Sequence, residues 1–283
     1  MNKIERPVLR YHGGKFLLAP WIISHFPAHK VYTEVFGGAA SVLMQKPRSY
    51  AEVYNDKWDT VVNVFQVLRD PESAKRLEQL LYLTPFSRTE FEQCGEIDLV
   101  EIANPIERAR LTIFRSFAGF GSASTNAKHS TGFRKKTSNS RTVPAIDWMN
   151  FPQYIESFTE RLRGVVIEHR DYKEVILQHD SVDTLHYLDP PYPHITRNMA
   201  RGNSTYAHDI DDSVHVEMAG LLENIKGMAI ISGYKCDLYD ELFRNWHRVE
   251  KSAFADGARL RVECLWINDR AFARAPKKEL FAC

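Results

Sequence analysis

The chain has few cysteines and no long apolar run, and each of these absences removes a class of function. Its 283 residues hold only Cys94, Cys236, Cys264 and Cys283. None of them forms a Cys-x-x-Cys pair, so no zinc site or disulfide scaffold is expected, and free thiols fit a reducing compartment. No metal cofactor is expected. The best apolar run, residues 16–23, is short and interrupted by Pro20, so no membrane span is expected either. Residues 1–10 are charged and lack an apolar centre, so the reading at that end is of a chain without a secretory signal. The expectation is a soluble cytoplasmic protein. Internal repeats and low-complexity tracts are missing too. With 44% hydrophobic and 12% aromatic residues, the chain can bury one large core and carry a smaller insertion.

Negative charge is missing from one long stretch. Residues 108–146 contain no Asp or Glu but hold Arg108, Arg110, Arg115, Lys128, Arg134, Lys135, Lys136 and Arg141. Those eight cations sit in a chain of net charge +1, so the remainder carries a net −7. The asymmetry points to a polyanion-binding surface, or to a solvated basic loop without a ligand. Residues 119–141 are rich in Gly, Ser, Thr and Asn, which suits a loop or hairpin, and Phe117, Phe120 and Phe133 interleave with the charges as candidate wedges or stacking groups.

Alternation of short β-branched runs with helical spacing predicts an α/β fold. Residues 31–35, 51–54, 165–168, 184–188 and 228–232 read as strands, and 249–254 with 262–268 as a hairpin around Asp256-Gly257 at the sheet edge. Residues 39–45 read as a turn or two of helix and 213–226 as a full helix. Between residues 58 and 113 the pattern is helical, with Val61, Val62, Phe65 and Leu68 spaced for one buried face. A mostly parallel sheet with a helical insertion follows.

The most informative segment is Asp189-Pro190-Pro191-Tyr192, which directly follows the fourth predicted strand. Each proline pushes the residue before it into extended backbone, and Pro191 has no N–H with which to continue an interior strand. The result is a rigid corner that presents a carboxylate, a carbonyl and an aromatic face. Alone it is also compatible with a stiff turn. As a site, two acceptors held off a ring plane would grip the hydrogens of an exocyclic amine and favour a pyramidal nitrogen, whose lone pair can attack. Tyr192 would stack on the base, and a base in a duplex must be flipped out to reach it.

Two glycine turns lie near the N-terminus. Glu34-Val35-Phe36-Gly37-Gly38-Ala39-Ala40-Ser41 follows a strand, where open α/β sheets bind ligands, although a simple tight turn fits the sequence equally. Asn55-Asp56 ends the next strand, and an acid there can accept from ribose hydroxyls. Tyr11-His12-Gly13-Gly14-Lys15 lacks phosphate-loop spacing, and a carboxylate is a suitable ligand for Lys15. His12 and His186 flank these elements and read as structural, because an amine acceptor needs no histidine base. Ser232-Gly233-Tyr234 ends the strand after the tetrapeptide and is a candidate for the wall of the target pocket, with Tyr234 near the base, although a core tyrosine at a strand end fits equally.

Together these segments resemble Dam-type DNA adenine N6-methyltransferases of the D12 class, alpha group, over nearly the whole chain. Tyr11, Gly13, Gly14 and Lys15 resemble the aromatic-x-Gly-Gly-Lys element that contacts S-adenosylmethionine. Glu34, Phe36, Gly37, Gly38, Ala39 and Ser41 resemble the Pro-Phe-x-Gly-x-Gly-Ser loop, with Val35 for its proline and Ala39-Ala40 for x-Gly. Asp56 resembles the ribose acid, Asp171-Tyr172 the Asp-Phe pair beside the cofactor adenine, and Asp189-Pro190-Pro191-Tyr192 the catalytic motif. The resemblance implies a Rossmann-like methyltransferase sheet with an antiparallel hairpin at its edge. It divides the chain into catalytic residues 1–56 and 161–283 around a target-recognition region at 57–160. It also implies S-adenosylmethionine as cofactor and double-stranded DNA as partner, with no membrane, metal or oligomer required. Arg115, Lys128, Arg134, Lys135, Lys136 and Arg141 are the expected DNA contacts, with Ser116-Phe117-Ala118-Gly119-Phe120-Gly121 and Thr131-Gly132-Phe133 approaching the duplex. Cations of this kind bind phosphates and carry little sequence information, so a short or relaxed recognition site is expected. The same tetrapeptide chemistry would serve cytosine N4 or the amines of RNA or protein, and a module that binds without turnover is a further alternative.

Overall fold

Strands buried on both faces need apolar residues at successive positions, and short runs on either side of the helical middle of this chain supply them. In the computed structural model, which describes residues 4–11, 13–119, 132–135, 143–193, 210–255 and 259–276, such runs form one seven-stranded sheet. The strands are β1 (Val31–Glu34), β2 (Ala51–Asn55), β3 (Val165–Glu168), β4 (Thr184–Leu188), β5 (Met228–Tyr234), β6 (His247–Ala255) and β7 (Arg259–Ile267). Their order is β3-β2-β1-β4-β5-β7-β6, with β7 antiparallel to both neighbours and the other pairings parallel.

Period-two alternation divides the core between the two faces of the sheet. On β5, Met228 and Ile230 point to one side and Ala229 and Ile231 to the other; Leu265 and Ile267 of β7 separate from Cys264 and Trp266 in the same way. The first side is covered by α1 (Ala19–Ile23), α2 (Asp59–Arg69), α3 (Pro71–Leu83), α5 (Pro105–Ala118), α6 (Pro144–Met149) and α7 (Ile155–Leu162), with α4 (Arg88–Glu96) packed against α5. The second side is covered by α8 (Tyr172–His179), α9 (Asp212–Glu223) and α10 (Asp237–Leu242); α11 (Asp269–Arg274) follows β7. Helix starts follow local chemistry. Asn104 caps α5 by accepting from the N–H groups of Ile106 and Glu107, with Pro105 in the first turn, and Asp171 caps α8.

Residues 58–113 are helical, as their spacing predicts, but α2 is more central than one face implies. Asn63, Val64 and Val67 are buried along with Val61, Val62, Phe65 and Leu68, and the Phe65 ring lies 4.4 Å from that of Tyr54 on β2. The helices between β2 and β3 therefore share a core with the sheet. Arg161 of α7 crosses that join. It donates to Glu52 of β2 at 2.6 and 3.0 Å and to the Leu43 carbonyl at 2.6 Å, while Lys46 pairs with the same Glu52 carboxylate. Burial pushes the Glu52 carboxyl up, but these cations outweigh it and hold it below the usual range.

One element differs from its expectation. Residues 39–45 form successive turns, because Gly38 (φ 47°) and Ala40 (φ 51°) hold left-handed backbone that an α-helix cannot include. The predicted Asp256-Gly257 turn lies outside the described residues.

Candidate active site

Strand order reverses between β1 and β4, which opens a crevice at their carboxyl ends. The segments at 13–15, 34–41, 55–56, 171–172 and 189–191 all lead into it. Asn55, the last residue of β2, joins three strand ends: its amide donates to the carbonyls of Val35 and Arg170, and its oxygen accepts from the Arg170 N–H. Asp56 accepts from the N–H groups of Gly38 at 2.7 Å and Trp58 at 2.8 Å. It thus fixes the glycine loop. Gly37 packs so tightly that an added Cβ would lie 2.2 Å from the Tyr54 ring and 2.9 Å from the Asn55 carbonyl. Ala40, which stands where the resembling loop has its second glycine, holds φ 51° at a cost of about 1–2 kcal/mol for an L-residue.

The tetrapeptide meets an element from each end of the chain. Lys15 is buried, with its Nζ 2.9 Å from Asp189 Oδ1, 3.5 Å from Glu263 Oε1 and 2.8 Å from the Gly13 carbonyl. The Ser232 hydroxyl donates to the same Asp189 Oδ1 at 2.7 Å and lies 3.1 Å from the Tyr187 hydroxyl. Oδ2 takes neither of these bonds, and Asp189 lines the crevice. Tyr192 is buried and donates its hydroxyl to Glu263. Lys15 Nζ sits 4.8 Å from its ring centroid, and the Tyr234 ring meets it edge-on at 4.8 Å. Burial raises both the Tyr192 phenol and the Glu263 carboxyl, although Lys15 and the Tyr192 hydroxyl pull the carboxyl back down. His186 plays no part here. It is buried in β4 against Thr33, and burial holds it neutral, with a pKa of about 4.

The crevice encloses a cavity of about 330 Å³. At one end Phe36 and Tyr172 stack at 5.5 Å, an aromatic wall for a flat ring, with Lys57 and Asp171 on the rim 3.4 Å apart. The Ser41 hydroxyl is buried with no partner among the described residues, and Ser41 lines the cavity, so a ligand there could satisfy it. Acids from four elements (Glu34, Asp56, Asp171 and Glu217) line the wall, which suits a ligand with hydroxyls and positive charge. The glycines at 13, 14, 37 and 38, an aromatic wall, the Ser41 hydroxyl and these acceptors suit a ligand that carries a flat ring, hydroxyls and positive charge.

Glu34 titrates unusually. It accepts from the Tyr32 hydroxyl at 2.7 Å and the Leu43 N–H at 2.6 Å, yet burial outweighs both and raises its pKa to about 8. The folded state therefore binds this proton between the ordinary carboxylate value of 4.5 and about 8, and the unfolded state does not. The contribution of Glu34 to stability is complete below that window and is lost as pH rises through it. Urea denaturation across pH 5–8 is expected to show a decline for the wild type that is shallower in Glu34→Gln. Equal slopes would contradict the assignment.

Tyr11, Gly13, Gly14, Lys15, Glu34, Phe36, Gly37, Gly38, Ala39, Ser41, Asp56, Asp171, Tyr172, Asp189, Pro190 and Pro191 all line the crevice, and Tyr192 lies beside it against Lys15. The predicted DNA contacts are not brought together in this way. Arg115 is buried and donates to the Gly95 carbonyl at the end of α4, so the expectation of a surface contact is corrected. Arg108 pairs with Asp59 and Arg110 with Glu90 and Glu107. Acids from α2 and α4, outside the acid-free stretch, thus neutralise part of its charge. Phe117 belongs to the core beside Phe151, and Phe133 packs between Phe86 and Phe91. Arg134 is half-buried and donates to the Phe117 carbonyl; burial and Arg10 lower its pKa to about 10. Lys135 is exposed. Lys128, Lys136, Arg141, Phe120, Gly121, Thr131 and His12 lie outside the described residues. Glu263, Trp58 and Glu217 went unrecognised in the sequence, since no motif marks them and they converge only through the fold.

Comparison with known proteins gives one strong match. The family described as D12 class N6 adenine-specific DNA methyltransferase matches residues 11–255. No curated protein matches the chain. Among solved structures, precorrin 8w decarboxylase from Methanobacterium thermoautotrophicum aligns over 89% of both chains at 10% identity, with a TM-score of 0.33. That likeness is too slight to carry an argument.

Proposed function

The chain belongs to the D12 class of N6 adenine-specific DNA methyltransferases, and from that premise we propose that it binds S-adenosylmethionine in the β1–β4 crevice and holds a flipped adenine at Asp189-Pro190-Pro191-Tyr192. The observation that carries this reading is the anchoring of Asp189 Oδ1 by Ser232 and Lys15, which leaves Oδ2 for an incoming amine. Oδ2 and the Pro190 carbonyl accept the two hydrogens of the adenine amine, so the nitrogen lone pair turns out of the ring plane. These acceptors are fixed before the base arrives and need no reorganisation as charge develops. Tyr192 offers its ring to the base, with Tyr234 edge-on behind it. Once the nitrogen has acquired a methyl group it carries an excess proton, which leaves to Asp189 or to water.

When bound, S-adenosylmethionine supplies an electrophilic methyl carbon on a sulfonium, and its sulfur keeps the bonding pair as the methyl departs. Phe36 and Tyr172 would flank its adenine, Asp56 would take ribose hydroxyls, and the 34–41 loop would pass beneath it. Residues 57–160 approach DNA, with Lys135 and the cations outside the described residues on its phosphates. Phosphate contacts of this kind favour a short or relaxed recognition site.

Isothermal titration tests cofactor binding directly. S-adenosylmethionine is expected to bind the wild type, and Phe36→Ala, which removes half of the aromatic wall, to bind about 10-fold more weakly. Full affinity in Phe36→Ala would place the adenine elsewhere.

A further inference from the structure

Glu263 comes from β7, in the antiparallel edge of the sheet, and is paired in register with Tyr234 of β5. Its carboxyl is buried, and a buried carboxyl is costly unless its neighbours satisfy it. Both of its partners belong to the catalytic corner: the Tyr192 hydroxyl donates to Oε1, and Lys15 Nζ stands 3.5 Å from the same oxygen. Lys15 is in turn 2.9 Å from Asp189 Oδ1. One ammonium, which also donates to the Gly13 carbonyl, is therefore shared between two carboxyls, and the balance between them helps to set its position. An ammonium drawn fully onto Asp189 would compete there with the hydrogens of the target amine.

We propose that Glu263 is a positioning residue for methyl transfer, holding Lys15 between the two carboxyls and fixing the Tyr192 ring through its hydroxyl. The edge hairpin thereby takes part in the reaction that β1 and β4 house. This inference rests on the proposed role of the tetrapeptide and extends it to a residue that touches neither cofactor nor base. Tyr192 acts on the base with its ring, and its hydroxyl donates to Glu263.

Methylation of duplex DNA by purified variants tests the proposal. Glu263→Ala is expected to lower kcat about 100-fold, the cost of a small misplacement of reacting groups, with the calorimetric Kd for S-adenosylmethionine unchanged. Glu263→Gln keeps the acceptor for Tyr192 and the shape of the side chain, and is expected to recover kcat to within about 10-fold of wild type. Tyr192→Phe alone lowers kcat, but added to Glu263→Ala it should cost nothing more, because the bond it removes is already gone. A Glu263→Ala enzyme with wild-type kcat would overturn the proposal. So would a loss in kcat matched by a loss of cofactor affinity and not relieved in Glu263→Gln, or additive losses in the double variant. If Glu263→Ala does not fold, the same reading is made on Glu263→Gln and Tyr192→Phe. Should the wild type itself fail to methylate adenine, the functional reading fails; an active wild type with an equally active Glu263→Ala sinks only this inference.

Discussion

Asp189→Ala is expected to lower the single-turnover rate of adenine methylation about 1000-fold, the scale lost when a preorganised group that stabilises developing charge is removed. The loss has two sources. The acceptor for one amine hydrogen disappears, and Lys15 loses the partner at 2.9 Å that helps fix it. Asp189→Asn separates them, because the amide keeps an acceptor oxygen while abolishing the charge. Its expected loss is smaller, about 100-fold, and Ser232 can still donate to its oxygen. Rapid-quench measurements at saturating cofactor and DNA would read both variants. An Asp189→Asn enzyme as fast as wild type would show that the carboxylate charge does no work in the reaction.

Gly37→Ala is expected to abolish cofactor binding at concentrations that saturate the wild type, although it adds one methyl group. The new Cβ would meet the Tyr54 ring at 2.2 Å and the Asn55 carbonyl at 2.9 Å. Neither neighbour can withdraw. The Tyr54 hydroxyl is tied to the Gly38 carbonyl at 2.8 Å and its ring packs on Phe65, while Asn55 binds both Val35 and Arg170. The loop must move instead, and overpacking of this kind costs about 1–3 kcal/mol of stability as well. Gly95→Ala is the matched control: nothing lies within 4 Å of its added Cβ, and the glycine sits in the solvent-facing helix α4. It should be neutral or slightly stabilising, since alanine is the better helix former. Calorimetry with S-adenosylmethionine, alongside urea denaturation, would check both. Normal binding by Gly37→Ala would mean that the loop is not the cofactor cradle.

Much of this arrangement is legible in the residues themselves. The buried strands announce themselves as short β-branched runs, and each loop that follows a parallel strand opens on the same edge, so Phe36, Asp56, Tyr172 and Asp189 converge once strand order is known. Turns at 39–45 were less legible, because positive φ at Ala40 is a property of its packing and not of alanine. Arg115 misleads for a related reason: a cation counts as surface charge in a sequence, whereas in α5 it is buried and bonded to the end of a neighbouring helix. Glu263 is the clearest omission. It lies 71 residues from Tyr192 in the chain, in the inner strand of the antiparallel hairpin, and only the pairing of that strand with β5 brings the two together.

Nucleoside mass spectrometry reads the product of methyl transfer to adenine N6 directly. Unmethylated duplex DNA is incubated with the purified protein and S-adenosylmethionine, with Asp189→Ala in parallel, and is then digested to nucleosides. The expected result is N6-methyldeoxyadenosine in the wild-type digest and none above background in the variant. N4-methyldeoxycytidine in its place, or N6-methyldeoxyadenosine at equal levels in both digests, would contradict the account.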